Sequence, residues 1–211
     1  MNEITSQSVE KYMQGLVPPR DTVLAEMEEY AKGNGVPIVG PMVGRLLYQL
    51  ALFANAGRVF EMGSAIGYST IWFARAVKPG GKVYYTDGSS SNASKAENYV
   101  KRAGVGERVE ILVGNSLDLI DQVEGEFDVI FNDVDKHYYP EVYRKAAGRV
   151  RVGGLFVTDN VLWSGRVGEP SVKDEDTQGI RAFNTMLFAD ERYYSTMIPL
   201  RDGVAIGLRV R

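Results

Sequence analysis

The chain has no cysteine, which excludes disulfides, thiolate metal sites and cysteine nucleophiles, and which is compatible with a reducing compartment. It has one histidine, His137, so any metal site must be built from oxygen ligands or from that residue. No apolar run approaches the roughly 20 residues of a membrane span. The start, MNEITSQSVEKYM, lacks a basic region followed by an apolar stretch. Lysine and arginine occur in no block longer than a pair and the formal net charge is -3, so a nucleic-acid backbone would find little to hold it. These absences predict a cytoplasmic protein with no nucleic-acid or membrane partner. What is present is 211 residues, 45% of them hydrophobic, enough to bury one sizeable core. The expectation is a single domain over 1–211, with helices in 1–56 and an α/β core in 57–211.

The first part reads as helices from Val9 to Leu16, Thr22 to Ala31 and Pro41 to Phe53. Asp21 is an N-cap candidate for the second and Gly33 a stop, while Met42, Leu46, Leu47 and Leu50 recur at helical spacing in the third. From Arg58 short apolar runs alternate with helical stretches: RVFEMG, KVYYTD, VEILVG, FDVIFND and GLFVTDN. Such alternation predicts a parallel sheet covered by helices on both faces. At the tail YYSTMIPL and GVAIGLRV are separated only by Arg-Asp, which predicts a hairpin whose last strand runs antiparallel to the rest. In an open α/β sheet the ligand sits at the carboxyl ends of the strands, where Glu61, Gly63, Asp87, Asn115, Ser116, Asp133, Asp159 and Asn160 all fall.

EMGSAIGYS follows the first strand and opens a helix, with Gly63 and Gly67 permitting a tight turn and close ligand approach. It departs from the dinucleotide pattern G-x-G-x-x-G, because Ala65 and Tyr68 occupy the second and third glycine positions; this ranks a dinucleotide oxidoreductase last. Asp87, ending the next strand, has a carboxylate suited to two ribose hydroxyls, and the pair of segments implies an adenosine-type ligand. Asn115 and Ser116 offer adenine or amide contacts, or cap the helix beginning at Leu117, and the two roles can coexist.

Asp133 closes a strand whose Val129, Ile130 and Phe131 should be buried, so its carboxylate needs a cation or donors. Asp159 and Asn160 close another strand, and with Asp133 they offer two carboxylates and an amide to a hard divalent cation. Lys136 is either a surface lysine or, beside that site, a proton acceptor. Asp135 faces solvent or a loop amide. His137 reads as structural or substrate-contacting, and Trp163 as an aromatic wall or as core.

In order and spacing these segments resemble the cation-dependent O-methyltransferases that use S-adenosylmethionine, the family of caffeoyl-CoA and catechol O-methyltransferases. The resemblance runs from about Val36 to the C-terminus. It is carried by E-x-G-x-x-x-G-Y-S at Glu61 to Ser69, D-x-D-K at Asp133 to Lys136, D-N-V-L-W-S-G-R-V at Asp159 to Val167, and Asp202-Gly203. It implies a class I methyltransferase fold: a Rossmann-like, seven-stranded, mostly parallel sheet with an antiparallel last strand. It further implies that Glu61, Gly63, Ser69, Asp87, Ser116 and Asp133 contact the cofactor, that Asp133, Asp159 and Asn160 hold Mg²⁺ or a similar ion, that Lys136 is the base, and that the protein is a homodimer. The implied acceptor is a small aromatic molecule with vicinal hydroxyls.

The chain departs from the family after Asp87, where Gly88 and the Ser89 to Asn92 run replace an acidic and aromatic helix start. It departs again before the first strand, at Pro37, Gly40 and Met42, and at Asn132, where an apolar residue is common. Two other readings remain at this level: a metal-independent methyltransferase on the same fold, and a non-catalytic cofactor binder.

Overall fold

The computed structural model describes residues 4–211; Met1 to Glu3, the first residues of the start read above for a leader, lie outside them. Three helices open the chain: α1 (Gln7–Gly15), α2 (Thr22–Asn34) and α3 (Gly40–Phe53). Asp21 caps α2 as expected, accepting from the backbone N–H groups of Val23 at 3.1 Å and Leu24 at 3.2 Å. The stop is Gly35 rather than Gly33. Its φ of +65° lets its N–H return to Ala31, a left-handed turn that glycine adopts without steric cost.

Seven strands follow: β1 (Arg58–Met62), β2 (Lys82–Asp87), β3 (Val109–Val113), β4 (Phe127–Asn132), β5 (Val150–Thr158), β6 (Tyr193–Ile198) and β7 (Val204–Arg209). They form one sheet in the order β3-β2-β1-β4-β5-β7-β6. β1 pairs in parallel with both β2 and β4, so the strand order reverses beside it, and β7 runs antiparallel to β5 and β6. The alternating helices are α4 (Tyr68–Ala76), α5 (Ser90–Arg102), α6 (Ser116–Gln122), α7 (Tyr139–Ala146) and α8 (Glu175–Ala189).

Both faces of the sheet are covered, which is why β1 and β4 read as nearly continuous apolar runs. On one face Val59, Val83, Val129 and Val157 pack with α3, α4 and α5; α2 joins the same core through Leu24 and Met27. On the other, Phe60, Ile130 and Phe156 pack with α6, α7 and α8. α2 and α3 therefore share a core with the sheet, while α1 buries none of its residues.

Two local expectations need correction. The hairpin turn spans 199–203 rather than Arg-Asp alone, because the reversal is completed by left-handed backbone at Arg201 (φ +51°) and Gly203 (φ +86°). The serine-rich run after Gly88 is the start of α5, with Ser89 as its N-cap. No described helix is long and apolar enough to cross a membrane.

Candidate active site

A cleft of about 900 Å³ opens at the carboxyl ends of the parallel strands, next to the reversal in strand order. Its walls bring together Gly63, Asp87, Asn115, Ser116, Asp133, Lys136, Asp159 and Asn160. Gly63 leaves β1 at φ +84°, and a Cβ there would stand 2.6 Å from the backbone oxygen of Asp133. Only glycine lets the exits of β1 and β4 lie so close, and that contact shapes the cleft floor.

Asp87 is held by the chain itself. Its Oδ2 accepts from the Ala65 N–H at 3.0 Å, and its Oδ1 accepts from the Ser89 N–H at 2.8 Å and the Asn92 amide at 3.1 Å. The atypical segment after Gly88 thus locks the carboxylate in place and adds Asn92 to the cleft wall. Asn115 caps α6 by accepting from the Leu117 N–H at 2.9 Å while lining the cleft, so both roles read from its position coexist.

Glu61 and Ser69 lie beneath this floor. Strand alternation turns Glu61 toward α4, where it is fully buried, and Ser69 is 6% exposed. The Thr70 hydroxyl donates to Glu61 Oε2, and Oε1 has no partner among the described residues. Burial pushes this carboxyl up to about 7, outweighing the hydroxyl donation around it. The folded state therefore holds the proton more tightly than the unfolded chain. The stability this confers is present below the ordinary carboxylate range and is lost as pH rises from about 4.5 to about 7. Between pH 5 and pH 8, Glu61→Gln should lose about 1–3 kcal/mol less unfolding free energy than the wild type. Urea denaturation in EDTA reads this directly, and superimposable profiles would contradict it.

The acidic end of the cleft is built by β4 and β5. Asp133 follows β4, and the Lys136 Nζ donates to its Oδ1 at 2.9 Å and to the Val134 carbonyl at 3.1 Å. Burial raises the Asp133 carboxyl, with the charge of Lys136 opposing. Asp159, 2% exposed, is raised by burial and then by the charge of Asp133. Its Oδ1 accepts from the Asn160 N–H at 2.9 Å, and its other oxygen accepts nothing among the described residues. Asn160 sits at φ +60°, a turn that asparagine tolerates better than most residues, and lines the cleft.

Lys136 is held from several sides. Its ammonium lies 5.5 Å from the Tyr139 ring and 5.8 Å from the Trp163 ring. The next residue, His137, is structural: its backbone N–H and ring Nδ1 both meet Asp176 Oδ1 at 3.2 Å. Gly179 of α8 lets this turn approach, since a Cβ there would stand 2.5 Å from the Lys136 carbonyl. Trp163 is half-buried against the core and meets the lysine with its ring, which joins the two readings of that residue.

Three contributors escape a reading by motif. The buried Tyr139 hydroxyl donates to the Asp159 carbonyl at 2.9 Å, and burial holds its phenol neutral. Asn92 reaches Asp87 from α5. Arg201, from the β6–β7 turn, stands in the wall of the cleft and of a second cavity of about 640 Å³ that adjoins it and is flanked by α1. The signals were faint: a serine-rich run for Asn92, and for Arg201 only its place before Asp202-Gly203.

A parallel sheet with this strand order and a single antiparallel strand, β7, its cleft at the carboxyl ends, has the class I methyltransferase fold. An O-methyltransferase family model matches residues 20–210, and the chain belongs to that family. It is 32% identical over 219 aligned residues to the catechol O-methyltransferase of Niastella koreensis, with 99% of each chain covered. Among solved structures it is similar to the O-methyltransferase TomG of Streptomyces achromogenes, involved in tomaymycin synthesis and solved with S-adenosylmethionine. The TM-score is 0.88 at 32% identity, covering 97% of this chain and 96% of that one. The O-methyltransferase of Bacillus cereus, solved with S-adenosylhomocysteine, gives 0.86 at 30% identity, covering 96% and 97%.

Proposed function

We propose that this O-methyltransferase moves a methyl group from S-adenosylmethionine to one hydroxyl of a vicinal dihydroxy aromatic acceptor, with Mg²⁺ or a similar divalent cation in the site. The observation that carries this reading is the acidic end of the cleft. Asp159 is almost fully buried with an unpartnered oxygen, Asp133 lies close enough to raise it, and Asn160 stands beside both. Two carboxylates raised by burial, one bonded to Lys136 and both lowered only in part by the charges of Lys136 and Arg201, leave room for a further cation, and oxygen ligands suit a hard one. The donor set therefore fits the ion, and Asp133, Asp159 and Asn160 would hold it. The catechol O-methyltransferase relative supports the acceptor class.

When bound, the ion supplies positive charge that favours the ionised diol and a template that fixes its two oxygens. S-adenosylmethionine supplies an electrophilic methyl group on its sulfonium. The rest is assigned to the chain. Gly63, which lets the exits of β1 and β4 close together, forms the floor under the cofactor, and Asp87, locked by Ala65, Ser89 and Asn92, is assigned to the ribose. Asn115 and Ser116, in the wall of the cleft, are assigned to the adenine, and the buried Glu61 and Ser69 to supporting the turn from below. Lys136, held 2.9 Å from Asp133 and 3.1 Å from the Val134 carbonyl, would give its own proton to solvent and then take the proton of the acceptor hydroxyl at Nζ. Fixing both reacting groups in one cleft supplies the orientation contribution.

Exposed Tyr12, Leu16 and Phe53 support pairing of two copies. The test of the reading is metal-reversible methyl transfer to a catechol.

A further inference from the structure

Arg201 stands at the junction of the 900 Å³ cleft and the 640 Å³ cavity, and Asn160 lines both beside it. An acceptor presenting its diol at Asn160 would have room to extend past Arg201 into the second cavity. The guanidinium is anchored at one end: its Nη1 donates to the carbonyls of Ile38, at 3.0 Å, and Val39. Gly40 keeps that anchor open, since a Cβ there would come within 3.1 Å of the same nitrogen. Nε and Nη2 have no partner among the described residues, and no carboxylate forms an ion pair with Arg201.

The other charged groups of the cavity are engaged. Arg20 forks onto Glu28, Glu10 accepts from Gln14, and Asp202 accepts from the Ser164 backbone and hydroxyl. The backbone of Arg201 is also left-handed, at φ +51°, where an arginine is strained and glycine or asparagine is easier. Strain kept at a cavity wall points to a use for the side chain that occupies it.

We propose that Arg201 determines acceptor specificity by binding a carboxylate on the aromatic ring, so that the enzyme prefers dihydroxybenzoate- or dihydroxycinnamate-type acids to neutral catechols. The inference rests on the reading of the cleft as a catechol O-methyltransferase site and adds the acceptor's charge. A planar guanidinium with one free donor edge, Nε and Nη2, matches a carboxylate's geometry, and charge-assisted hydrogen bonds of this kind are the strong ones. Asp133 and Asp159 feel the same positive charge, and a divalent ion held by them would take over that compensation.

The experiment compares 3,4-dihydroxybenzoate with its neutral isostere 3,4-dihydroxybenzamide, using the full chain with Mg²⁺. Two readouts run side by side: kcat/KM for methyl transfer, and calorimetric affinity for the enzyme saturated with S-adenosylhomocysteine. The wild type is expected to favour the acid by about tenfold or more in both. Arg201→Met should bring the ratio to about one, and Arg201→Lys should keep part of it. Because each ratio is taken on one enzyme, a general loss of fold cancels. A wild type without preference, a ratio unchanged in Arg201→Met, or no binding of either ligand overturns the inference. A binding preference without any methyl transfer would uphold it while overturning the proposed reaction.

Discussion

Replacing Lys136 by methionine should lower kcat by about 10²- to 10⁴-fold, the range expected for loss of a positioned acid–base group, while changing S-adenosylmethionine affinity only a few-fold. The asymmetry follows from where the side chain sits. Lys136 Nζ is only 2.9 Å from Asp133 at the acidic end, whereas Asp87, Gly63 and Asn115, the residues proposed for the cofactor, are held by other elements. Methionine keeps the apolar stem against Tyr139 and Trp163 and removes only the ammonium. Calorimetry with the cofactor alongside steady-state rates separates the two effects. Equal losses in both would mean that the lysine merely holds Asp133 in place, and would remove it as the base.

The second large effect is expected at Asp159. Asp159→Asn keeps an oxygen that can accept from the Asn160 N–H, but it removes a charge from a site that is 2% exposed. Turnover in Mg²⁺ should fall by roughly a thousandfold, the scale of losing several kcal/mol of charge stabilisation. Stability should respond in the opposite sense. The wild-type carboxyl is pushed up by burial and by its neighbour Asp133, so its ionised form costs stability when no cation is present. In EDTA at neutral pH the variant should therefore melt no lower than the wild type. Adding Mg²⁺ should raise the melting temperature of the wild type and leave the variant unmoved, because only the wild type gains ligand binding to the folded state. A variant that melts far below the wild type in EDTA, or that keeps the Mg²⁺ response, would contradict this account of the acidic end.

Much of this site is legible in the sequence because its parts are local. Asp133, Asp159 and Asn160 each end an apolar run that had to be a buried strand, and parallel strands deliver their carboxyl ends to one edge. Asp21 and Asn115 could be read as caps because a cap bonds two or three residues onward. Glu61 shows the limit of that logic. It lies at the same strand end as the cleft residues, yet the two-residue alternation of a strand turns its side chain under the floor.

Residues whose partners are remote in sequence stayed out of reach. Arg201 clasps the carbonyls of Ile38 and Val39 across more than 160 residues, and Gly179 matters only because the Lys136 turn lies on it. The start of α5 was hidden by composition. Serines suggest a turn, and only the packing of Ala93 and Ala96 into the core makes the stretch a helix that holds Asp87.

The central claim is a methyl transfer that needs S-adenosylmethionine, a divalent cation and a vicinal diol together. The measurement that tests it most directly is transfer of label from S-adenosylmethionine to catechol and to its monomethyl ether guaiacol, each with Mg²⁺ and with EDTA. The account predicts product from catechol with Mg²⁺, none with EDTA, and none from guaiacol under either condition. Equal product from catechol in Mg²⁺ and in EDTA would contradict it, and Asp133, Asp159 and Asn160 would then need another purpose.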